Sequence, residues 1–307
     1  MAVPDFQSLM LPVLETTASG EISAADLRDK VASRLGLSSD DLAAKLPSGR
    51  QTTFANRTAW ANVFLQRAGL IEKIGRGRYR ASETGLKTLA EHPQKIDMAF
   101  LQRFPDYVQW RQKSAVPGGP TKAEGEALGP DELSTPEEQI ATSYKTLNAA
   151  IEAELLDRVR GMSPAFFETL IIDLLIKLGY GGGQPEMGQA IGKSGDGGID
   201  GVIKEDALGL DRVCLQAKRY GEGQVVGRPE VQAFAGSLDG VGATKGILIT
   251  TGSFSSGARD YVLHIPKRII LIDGVQLTRL MVEREVGVLV FEVFKVKKID
   301  ENYFTEG

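Results

Sequence analysis

The stretch over residues 112–135, QKSAVPGGPTKAEGEALGPDELST, is the feature that most constrains how this 307-residue chain can fold. It contains four Gly and three Pro, lacks aromatic residues and shows no apolar periodicity. A segment of this composition cannot bury enough apolar surface to offset the conformational entropy that ordering costs. The sequence therefore predicts a flexible linker over 112–135, between one domain over 1–111 and another over 136–307.

The composition excludes several classes of protein and of site. The single cysteine, Cys214, rules out an internal disulfide framework and a cysteine-rich zinc site. The two histidines, His92 and His264, lie far apart in sequence, which argues against a histidine-built metal site. There is no signal-peptide pattern and no apolar run long enough to span a membrane, so we expect a cytoplasmic protein without membrane attachment.

The first domain shows apolar spacing typical of helices, followed by a short hairpin. Trp60, Val63 and Phe64 have i, i+3, i+4 spacing. Gly75-Arg76-Gly77 lies between two short strand-like segments and predicts the hairpin turn. The predicted helices cover about 5–17, 23–35, 53–68 and 83–91. Helices followed by a hairpin are the pattern of a winged helix, a DNA-binding domain.

Basic residues are concentrated in this helix and hairpin. Residues 50–80 contain seven basic side chains and a single acidic one, Glu72. A helix that enters the major groove, next to a basic hairpin that contacts the backbone, suits a DNA duplex. The alternative is an ordinary solvated face. The residues that we predict to contact DNA are Arg57, Arg67, Lys73, Arg76, Arg78 and Arg80.

The second domain begins with two helices and continues with alternating strands and helices. Thr135, Pro136 and Glu138 form a capping box that predicts a helix to about residue 160, and Ser163-Pro164 begins the next. The predicted strands are 199–203, 212–219, 246–250 and 268–272, with helices at 228–240, 254–264 and 275–285.

The glycine-rich stretch over 188–201, GQAIGKSGDGGIDG, permits two interpretations. Gly192-Lys193-Ser194 is typical of the end of a phosphate-binding P-loop. That motif needs a glycine five positions before Gly192, where this chain has Met187. No apolar strand precedes the stretch and no long helix follows it, so we reject the nucleotide-binding interpretation.

In the second interpretation, the stretch holds a carboxylate for a metal ion. Glycines allow a tight turn into a strand near Asp200, and a hairpin returns through VCLQAKR. Gln216 and Lys218 then share one face of their strand, so Asp200 can converge with them. A carboxylate, an amide oxygen and the carbonyl oxygen of Ala217 suit a hard divalent cation. The expected metal ligands are therefore Asp200, Gln216 and Ala217.

Two further residues complete the expected chemistry. Lys218 can orient a water molecule or stabilise charge that develops on phosphorus, and Glu168 on the preceding helix can add a carboxylate. Each candidate also has a simpler interpretation. Asp200 can cap a turn, Lys218 can be a solvated strand charge and Glu168 a solvated helix side chain. Asp196, flanked by glycines, is more typical of a turn than of a metal site.

These motifs resemble a known nuclease fold. FFETLIIDLLIKLGYGG (166–182), GDGGIDGVI (195–203) and LQAKRY (215–220) resemble PD-(D/E)xK nucleases, and in particular the Mrr restriction family. The first domain, including NRTAWA (56–61), resembles the amino-terminal winged helix of that family. The resemblance implies a mixed α+β and α/β chain. An amino-terminal winged helix would be joined by a flexible linker to a restriction-endonuclease-like domain, whose mixed central sheet is flanked by helices.

The resemblance also implies a function. It implies a modification-dependent restriction endonuclease that uses Mg²⁺, with Mn²⁺ as a substitute, to hydrolyse double-stranded DNA methylated on adenine or cytosine. Asp200 would be the metal carboxylate, Lys218 the catalytic lysine and Glu168 an additional site carboxylate. Gln216 occupies the position where the general motif has Asp or Glu, and Ile199 replaces its proline.

Two other functions fit the same motifs. One is a repair or recombination nuclease that recognises DNA structure, and the other is a DNA-binding regulator with a catalytically silent nuclease domain. Cutting both strands requires two active sites or two visits, so we expect a homo-oligomer, a dimer or larger.

Overall fold

The computed structural model describes residues 2–114, 133–184, 188–190, 198–206, 211–300 and 303. The chain divides into two compact units, residues 1–144 with 298–307, and residues 145–297. Residues 115–132 of the predicted linker lie outside the described residues, so the domain boundaries 1–111, 112–135 and 136–307 stay a prediction. No helix in the described part of the chain is long and apolar enough to cross a membrane.

The first unit is a winged helix, as predicted. Its strands β1, β2 and β3 form an antiparallel sheet in the order β1-β3-β2. The strands are β1 (Ile22–Ser23), β2 (Ile71–Gly75) and β3 (Arg78–Ala81). The helices are α1 (Met10–Thr17), α2 (Ala24–Leu35), α3 (Ser39–Ala43), α4 (Thr53–Arg67), α5 (Glu83–Ala90), α6 (Met98–Leu101) and α7 (Pro105–Ser114).

The core of this unit extends beyond the segments predicted from sequence. Phe64 of α4 packs against Phe6 at 5.3 Å between ring centroids, and against Trp110 of α7 at 5.5 Å. Tyr107 of α7 is fully buried. Helices α3, α6 and α7 were not predicted from the sequence. The first two have five and four residues, too few to show an apolar period, and α7 depends on packing of side chains such as Tyr107 and Trp110 against the core.

Helix α8 (Pro136–Gly161) begins with the predicted capping box. The Glu138 amide donates a hydrogen bond to Thr135 Oγ1 at 3.3 Å, and the Thr135 amide donates to Glu138 Oε2 at 2.8 Å. Thr135 Oγ1 also donates to Asn56 Oδ1 at 2.6 Å, and Trp60 Nε1 donates to Glu137 Oε2 at 2.7 Å. The first turn of α8 is therefore fastened to α4, within the first unit.

The second unit contains the predicted mixed sheet flanked by helices. Its five strands run in the order β10-β8-β6-β5-β4. Strands β10, β8 and β6 are mutually parallel, whereas β5 and β4 add in antiparallel fashion. The strands are β4 (Gly188–Ala190), β5 (Gly201–Lys204), β6 (Arg212–Lys218), β8 (Lys245–Thr250) and β10 (Arg268–Ile272). A separate short parallel pair consists of β7 (Val225–Val226) and β9 (Ser253–Phe254).

Helices cover both faces of this sheet. They are α9 (Pro164–Lys177), α10 (Arg228–Gly240), α11 (Ser256–Leu263) and α12 (Gly274–Glu283). On β6, Val213 and Leu215 pack into the cluster that includes α9 and α12, while Cys214 packs into the cluster that includes α10 and α11. This alternation follows from the two-residue period of a strand, and it directs Gln216 and Ala217 to opposite faces at the carboxyl end of β6.

Candidate active site

Asp200 continues the β5–β6 ladder just before β5 begins. Its backbone amide donates a hydrogen bond to the Leu215 carbonyl oxygen at 2.8 Å. Its Oδ2 atom accepts a hydrogen bond from the Ala217 amide at 2.7 Å, in the place where a backbone carbonyl would normally stand. The carboxylate is therefore fixed at the end of the β5–β6 pair, with Oδ1 as its second oxygen. The turn-capping alternative does not describe this contact, because Asp200 bonds to the neighbouring strand.

Gln216 precedes Ala217 on β6, and its side chain is buried. It is only 8% exposed, and within the described residues its Oε1 atom has no hydrogen-bond partner. Gly198 leaves room for the amide group, since a Cβ atom at that position would stand 2.6 Å from Gln216 Nε2. Gly198 has a φ of +91°, a conformation that glycine adopts readily. An acceptor oxygen that is buried without a donor is costly unless it is satisfied by something else.

Ala217 contributes its backbone amide and carbonyl, rather than its side chain, at the end of the β5–β6 pair. In a strand, the amide and carbonyl of one residue point to the same side. Because the Ala217 amide bonds to Asp200, the Ala217 carbonyl also points toward the end of β5. The Lys218 carbonyl points the other way and accepts hydrogen bonds from the Thr251 amide at 3.2 Å and from Thr250 Oγ1 at 2.9 Å.

Glu168 approaches this end of the sheet from α9. It lines a small cleft together with Asp200 and Ala217. Burial first, and the negative charge of Asp200 second, raise the pKa of Glu168 above its ordinary value. Two carboxylates at close range repel each other when both are ionised, and a bound cation would relieve that repulsion.

Glu168→Gln is expected to raise the thermal unfolding midpoint at about pH 8 and to leave it unchanged at about pH 4, with a chelator present. A carboxyl with a raised folded-state pKa contributes full stability below its unfolded-state pKa. That contribution is lost as the pH rises through the folded-state pKa, and glutamine removes the loss. Calorimetry at the two pH values tests this, and the exposed Asp173→Asn on the same helix is the matched control. Equal shifts at both pH values would contradict the prediction.

Lys218 lies on the α10 face, next to two residues to which the sequence analysis assigned no role. Tyr220 donates its hydroxyl hydrogen to Glu230 Oε1 at 2.5 Å, and Glu230 Oε2 accepts from the Gly227 amide at 2.6 Å. The Tyr220 hydrogen bond first, and the Lys218 charge to a smaller extent, hold the pKa of Glu230 below its ordinary value. An aromatic residue two positions after Lys218 was the available sequence signal for Tyr220.

These donors suit a hard divalent cation. The described residues contain no cluster of three or more His, Cys, Asp or Glu side chains that could hold a metal ion. A site here therefore has to combine carboxylates with neutral oxygens. The buried Oε1 of Gln216, without a hydrogen-bond partner among the described residues, is an oxygen of that kind, and the next residue, Ala217, holds the Asp200 carboxylate through its amide. The residues present fit such an ion. Gly192-Lys193-Ser194 and Asp196 lie outside the described residues.

The hairpin of the winged helix presents four of the six predicted DNA contacts. Lys73 on β2, Arg76 in the turn, and Arg78 and Arg80 on β3 are all exposed. Two of them have acidic neighbours on the surface, since Arg78 pairs with Glu21, and Arg80 pairs with Glu72 at 3.0 Å. Exposed ion pairs are weak, so these guanidinium groups remain accessible to another anion.

The two helix arginines are placed differently. Arg67 ends α4, and its guanidinium stands over the Trp110 ring at 5.6 Å from the centroid. Arg57 is 20% exposed and pairs with Glu138, itself 13% exposed, at 2.8 Å. Arg57 Nη1 also donates to the Val3 carbonyl at 2.5 Å and the Pro4 carbonyl at 3.0 Å. These contacts occupy Arg57 within the unit, and we leave it out of the DNA surface proposed below.

Comparison with known proteins agrees with this architecture. A family model described as restriction endonuclease, the catalytic domain of the Mrr family, matches residues 159–281. A model of the Mrr N-terminal domain matches residues 6–91. The "Type IV methyl-directed restriction enzyme EcoKMrr" of Escherichia coli (strain K12) is 37% identical over 318 residues, which cover 99% of this chain and 100% of that protein.

A solved structure of the MspJI restriction endonuclease with a 27-mer oligonucleotide is more distant. It is 20% identical, with a TM-score of 0.32, over 67% of this chain and 43% of that chain. The match spans less than half of the MspJI chain, and at this level it supports no argument about the site. The two family models and the full-length relative are sufficient: this chain belongs to the Mrr family of restriction endonucleases.

Proposed function

We propose that this chain is a modification-dependent endonuclease that hydrolyses phosphodiester bonds in methylated double-stranded DNA with the help of Mg²⁺, or of Mn²⁺ as a substitute. The observation that carries the proposal is the buried Oε1 of Gln216, which lacks a partner within the described residues and belongs to the residue just before Ala217, whose amide holds the Asp200 carboxylate. The full-length relative is named as a methyl-directed enzyme, which supports methylated DNA as the substrate class.

The residues at the end of β5 and β6 would hold the cation. Asp200 Oδ1, Gln216 Oε1 and the Ala217 carbonyl are the proposed ligands, and Glu168 adds a second carboxylate from α9. A bound divalent cation would polarise the scissile phosphodiester and lower the pKa of a coordinated water molecule. The Ala217 amide keeps the Asp200 carboxylate oriented, so little reorganisation is needed when DNA arrives.

Lys218 supplies the positive charge. Its ammonium group can donate hydrogen bonds to the attacking water or to the phosphate oxygens on which charge develops. The Glu230 carboxylate, which accepts the Tyr220 hydrogen bond, lies close enough to Lys218 for the two charges to interact. Lys218 is proposed to act as a hydrogen-bond donor rather than as a proton acceptor.

The exposed hairpin of the winged helix would anchor the enzyme to the duplex. Lys73, Arg76, Arg78 and Arg80 are proposed to contact phosphates, and Arg67 at the end of α4 adds a neighbouring cation. Contacts to phosphates position a protein without reading sequence, so they do not select the methylated base.

Cleavage of matched plasmids tests the proposal. Purified protein with Mg²⁺ is incubated with unmethylated, adenine-methylated and cytosine-methylated plasmids of one sequence. We expect cutting of methylated plasmid alone. Equal cutting of all three, or a preference for junctions and flaps, would indicate a nuclease that recognises structure. DNA binding without cutting under any metal would indicate a silent regulator.

Arg76→Ala is expected to weaken DNA binding several-fold and to lower the slope of log affinity against log salt by about 0.9, the value for one lost phosphate contact. The loss should be similar for methylated and unmethylated duplexes, because the contact is to the backbone. Fluorescence anisotropy over a salt series measures both quantities. Lys95→Ala, outside the basic cluster, is the control and should change neither. An unchanged slope for Arg76→Ala would remove the hairpin turn from the interface.

A further inference from the structure

Two buried threonines lie beside Lys218, at the carboxyl end of β8. Thr250 and Thr251 are both fully buried, and the mechanism proposed above gives neither of them a role. Thr250 is the register partner of Lys218, which is the last residue of β6, so the β6–β8 ladder ends at this pair. The contacts that hold the chain just beyond the ladder therefore also fix the backbone from which the Lys218 side chain extends.

The Thr251 hydroxyl continues the pairing by one residue after β6 has ended. It accepts a hydrogen bond from the Tyr220 amide at 2.7 Å and donates one to the Tyr220 carbonyl, also at 2.7 Å. A hydroxyl has one hydrogen to donate and lone pairs to accept, so this single group satisfies both backbone groups of Tyr220. The backbone amide of Thr251 is used elsewhere, since it donates to the Lys218 carbonyl at 3.2 Å.

Further contacts close a ring around the same short segment. The Lys218 carbonyl accepts a second hydrogen bond, from Thr250 Oγ1 at 2.9 Å. The Thr251 carbonyl accepts from Arg160 Nη2 at 3.2 Å, and the Arg160 carbonyl accepts from Arg219 Nη1 at 2.6 Å. The ring runs from the end of β8 through the end of α8 to the residue after Lys218, within the second unit. Each of the three residues from 218 to 220 is therefore held by at least one hydrogen bond.

We propose that Thr251 is a positioning residue for Lys218. The inference rests on the proposed function, in which the Lys218 ammonium group donates to the attacking water or to the phosphate. Such a donor is effective only close to the productive geometry, and a misplacement of about 1 Å can cost about a hundredfold in rate. The Asp200 carboxylate is held from the other side, by the Ala217 amide, so it does not depend on the Thr251 hydroxyl.

Substitutions of Thr251 test the inference. Thr251→Val removes the hydroxyl at nearly constant shape, whereas Thr251→Ser keeps it. We expect the valine variant to cleave about ten- to a hundredfold more slowly at saturating Mg²⁺ and DNA, with metal affinity near that of the wild type. The serine variant should recover most of the rate. Thr278→Val, a buried threonine whose hydroxyl bonds within its own helix α12, is the matched control and should cleave like the wild type.

A double-mutant cycle tests whether Thr251 acts through Lys218. In a Lys218→Met background, Thr251→Val should change the single-turnover rate by less than about twofold, because the side chain that it positions is gone. Slowing by the same factor in both backgrounds would indicate a merely structural role and would overturn the inference. If Thr251→Val does not fold, Thr250→Val replaces it with the same expected outcomes, since the Lys218 carbonyl then keeps the Thr251 amide as its donor.

Hydrogen exchange separates failure of this inference from failure of the proposed function. The backbone amide of Tyr220 should exchange faster in Thr251→Val than in the wild type or in Thr251→Ser, whether or not the protein cuts DNA. A wild type that cuts no DNA would overturn the proposed function. Unchanged exchange at Tyr220, or a Thr251→Val variant that cleaves as fast as an active wild type, would overturn the positioning role alone.

Discussion

Asp200→Asn is expected to abolish Mg²⁺-supported cleavage of methylated plasmid, with a loss of at least about a thousandfold in rate. The substitution keeps the size of the side chain, and the new amide oxygen can still accept the hydrogen bond from the Ala217 amide. The β5–β6 ladder should therefore persist. What is lost is the negative charge, without which the remaining neutral oxygens bind a hard divalent cation poorly.

Three measurements separate this prediction from a folding defect. Single-turnover cleavage gives the rate, isothermal titration with Mg²⁺ or Mn²⁺ gives metal affinity, and circular dichroism reports the fold. We expect the cleavage rate and the metal affinity to fall while the circular dichroism spectrum stays unchanged. Asp206→Asn, on the same hairpin but away from the site, should cleave like the wild type. Retention of more than about a tenth of the activity in Asp200→Asn would remove Asp200 from the proposed metal site.

Lys218→Met is expected to slow cleavage by about a hundred- to ten-thousandfold while metal affinity and DNA affinity remain near those of the wild type. Methionine keeps the length and apolar stem of lysine but cannot donate hydrogen bonds to water or to phosphate. Because Lys218 is proposed to act on the reacting atoms and not on the cation, its loss should appear in the rate of the chemical step.

Comparison of the two variants separates binding of the cation from the chemical step. Asp200→Asn should lose metal binding and cleavage together, whereas Lys218→Met should lose cleavage alone. Lys218→Arg should recover part of the rate, since a guanidinium keeps the charge but not the geometry. Lys204→Met, exposed on β5, is the matched control. If Lys218→Met bound Mg²⁺ as weakly as Asp200→Asn, the two residues would have one role, and the proposed division would be wrong.

Arg57 is a basic residue of α4 whose guanidinium group already has partners within the first unit. Its position in NRTAWA and the basic character of residues 50–80 supported a DNA contact. In the structure its guanidinium is occupied by Glu138 and by the carbonyls of Val3 and Pro4. These partners lie 53 to 81 residues away in sequence, and no local pattern predicts them.

The sequence by itself determined the elements and the family. Thr135 and Ser163 begin the helices that they were predicted to begin, because capping depends only on residues within one turn. Four strands of the second unit, β5, β6, β8 and β10, were recognisable as short apolar runs for the same local reason, whereas the strands of two or three residues, β4, β7 and β9, were not predicted. The motifs GDGGIDG and QAK, with the winged helix before them, were sufficient to identify the Mrr family, and comparison confirms it.

Only the tertiary structure decided how the candidate site is assembled. The sequence placed Gln216 and Lys218 on one strand face, but it did not indicate that the Asp200 carboxylate replaces a ladder carbonyl opposite Ala217. Nor did it indicate that Gln216 Oε1 is buried without a partner among the described residues. It also did not indicate that the negative charge of Asp200 contributes to raising the pKa of Glu168. The physical reason is the distance along the chain over which each interaction acts. Capping and strand alternation act within a few residues, whereas burial, charge proximity and unmatched acceptors arise only when distant segments meet.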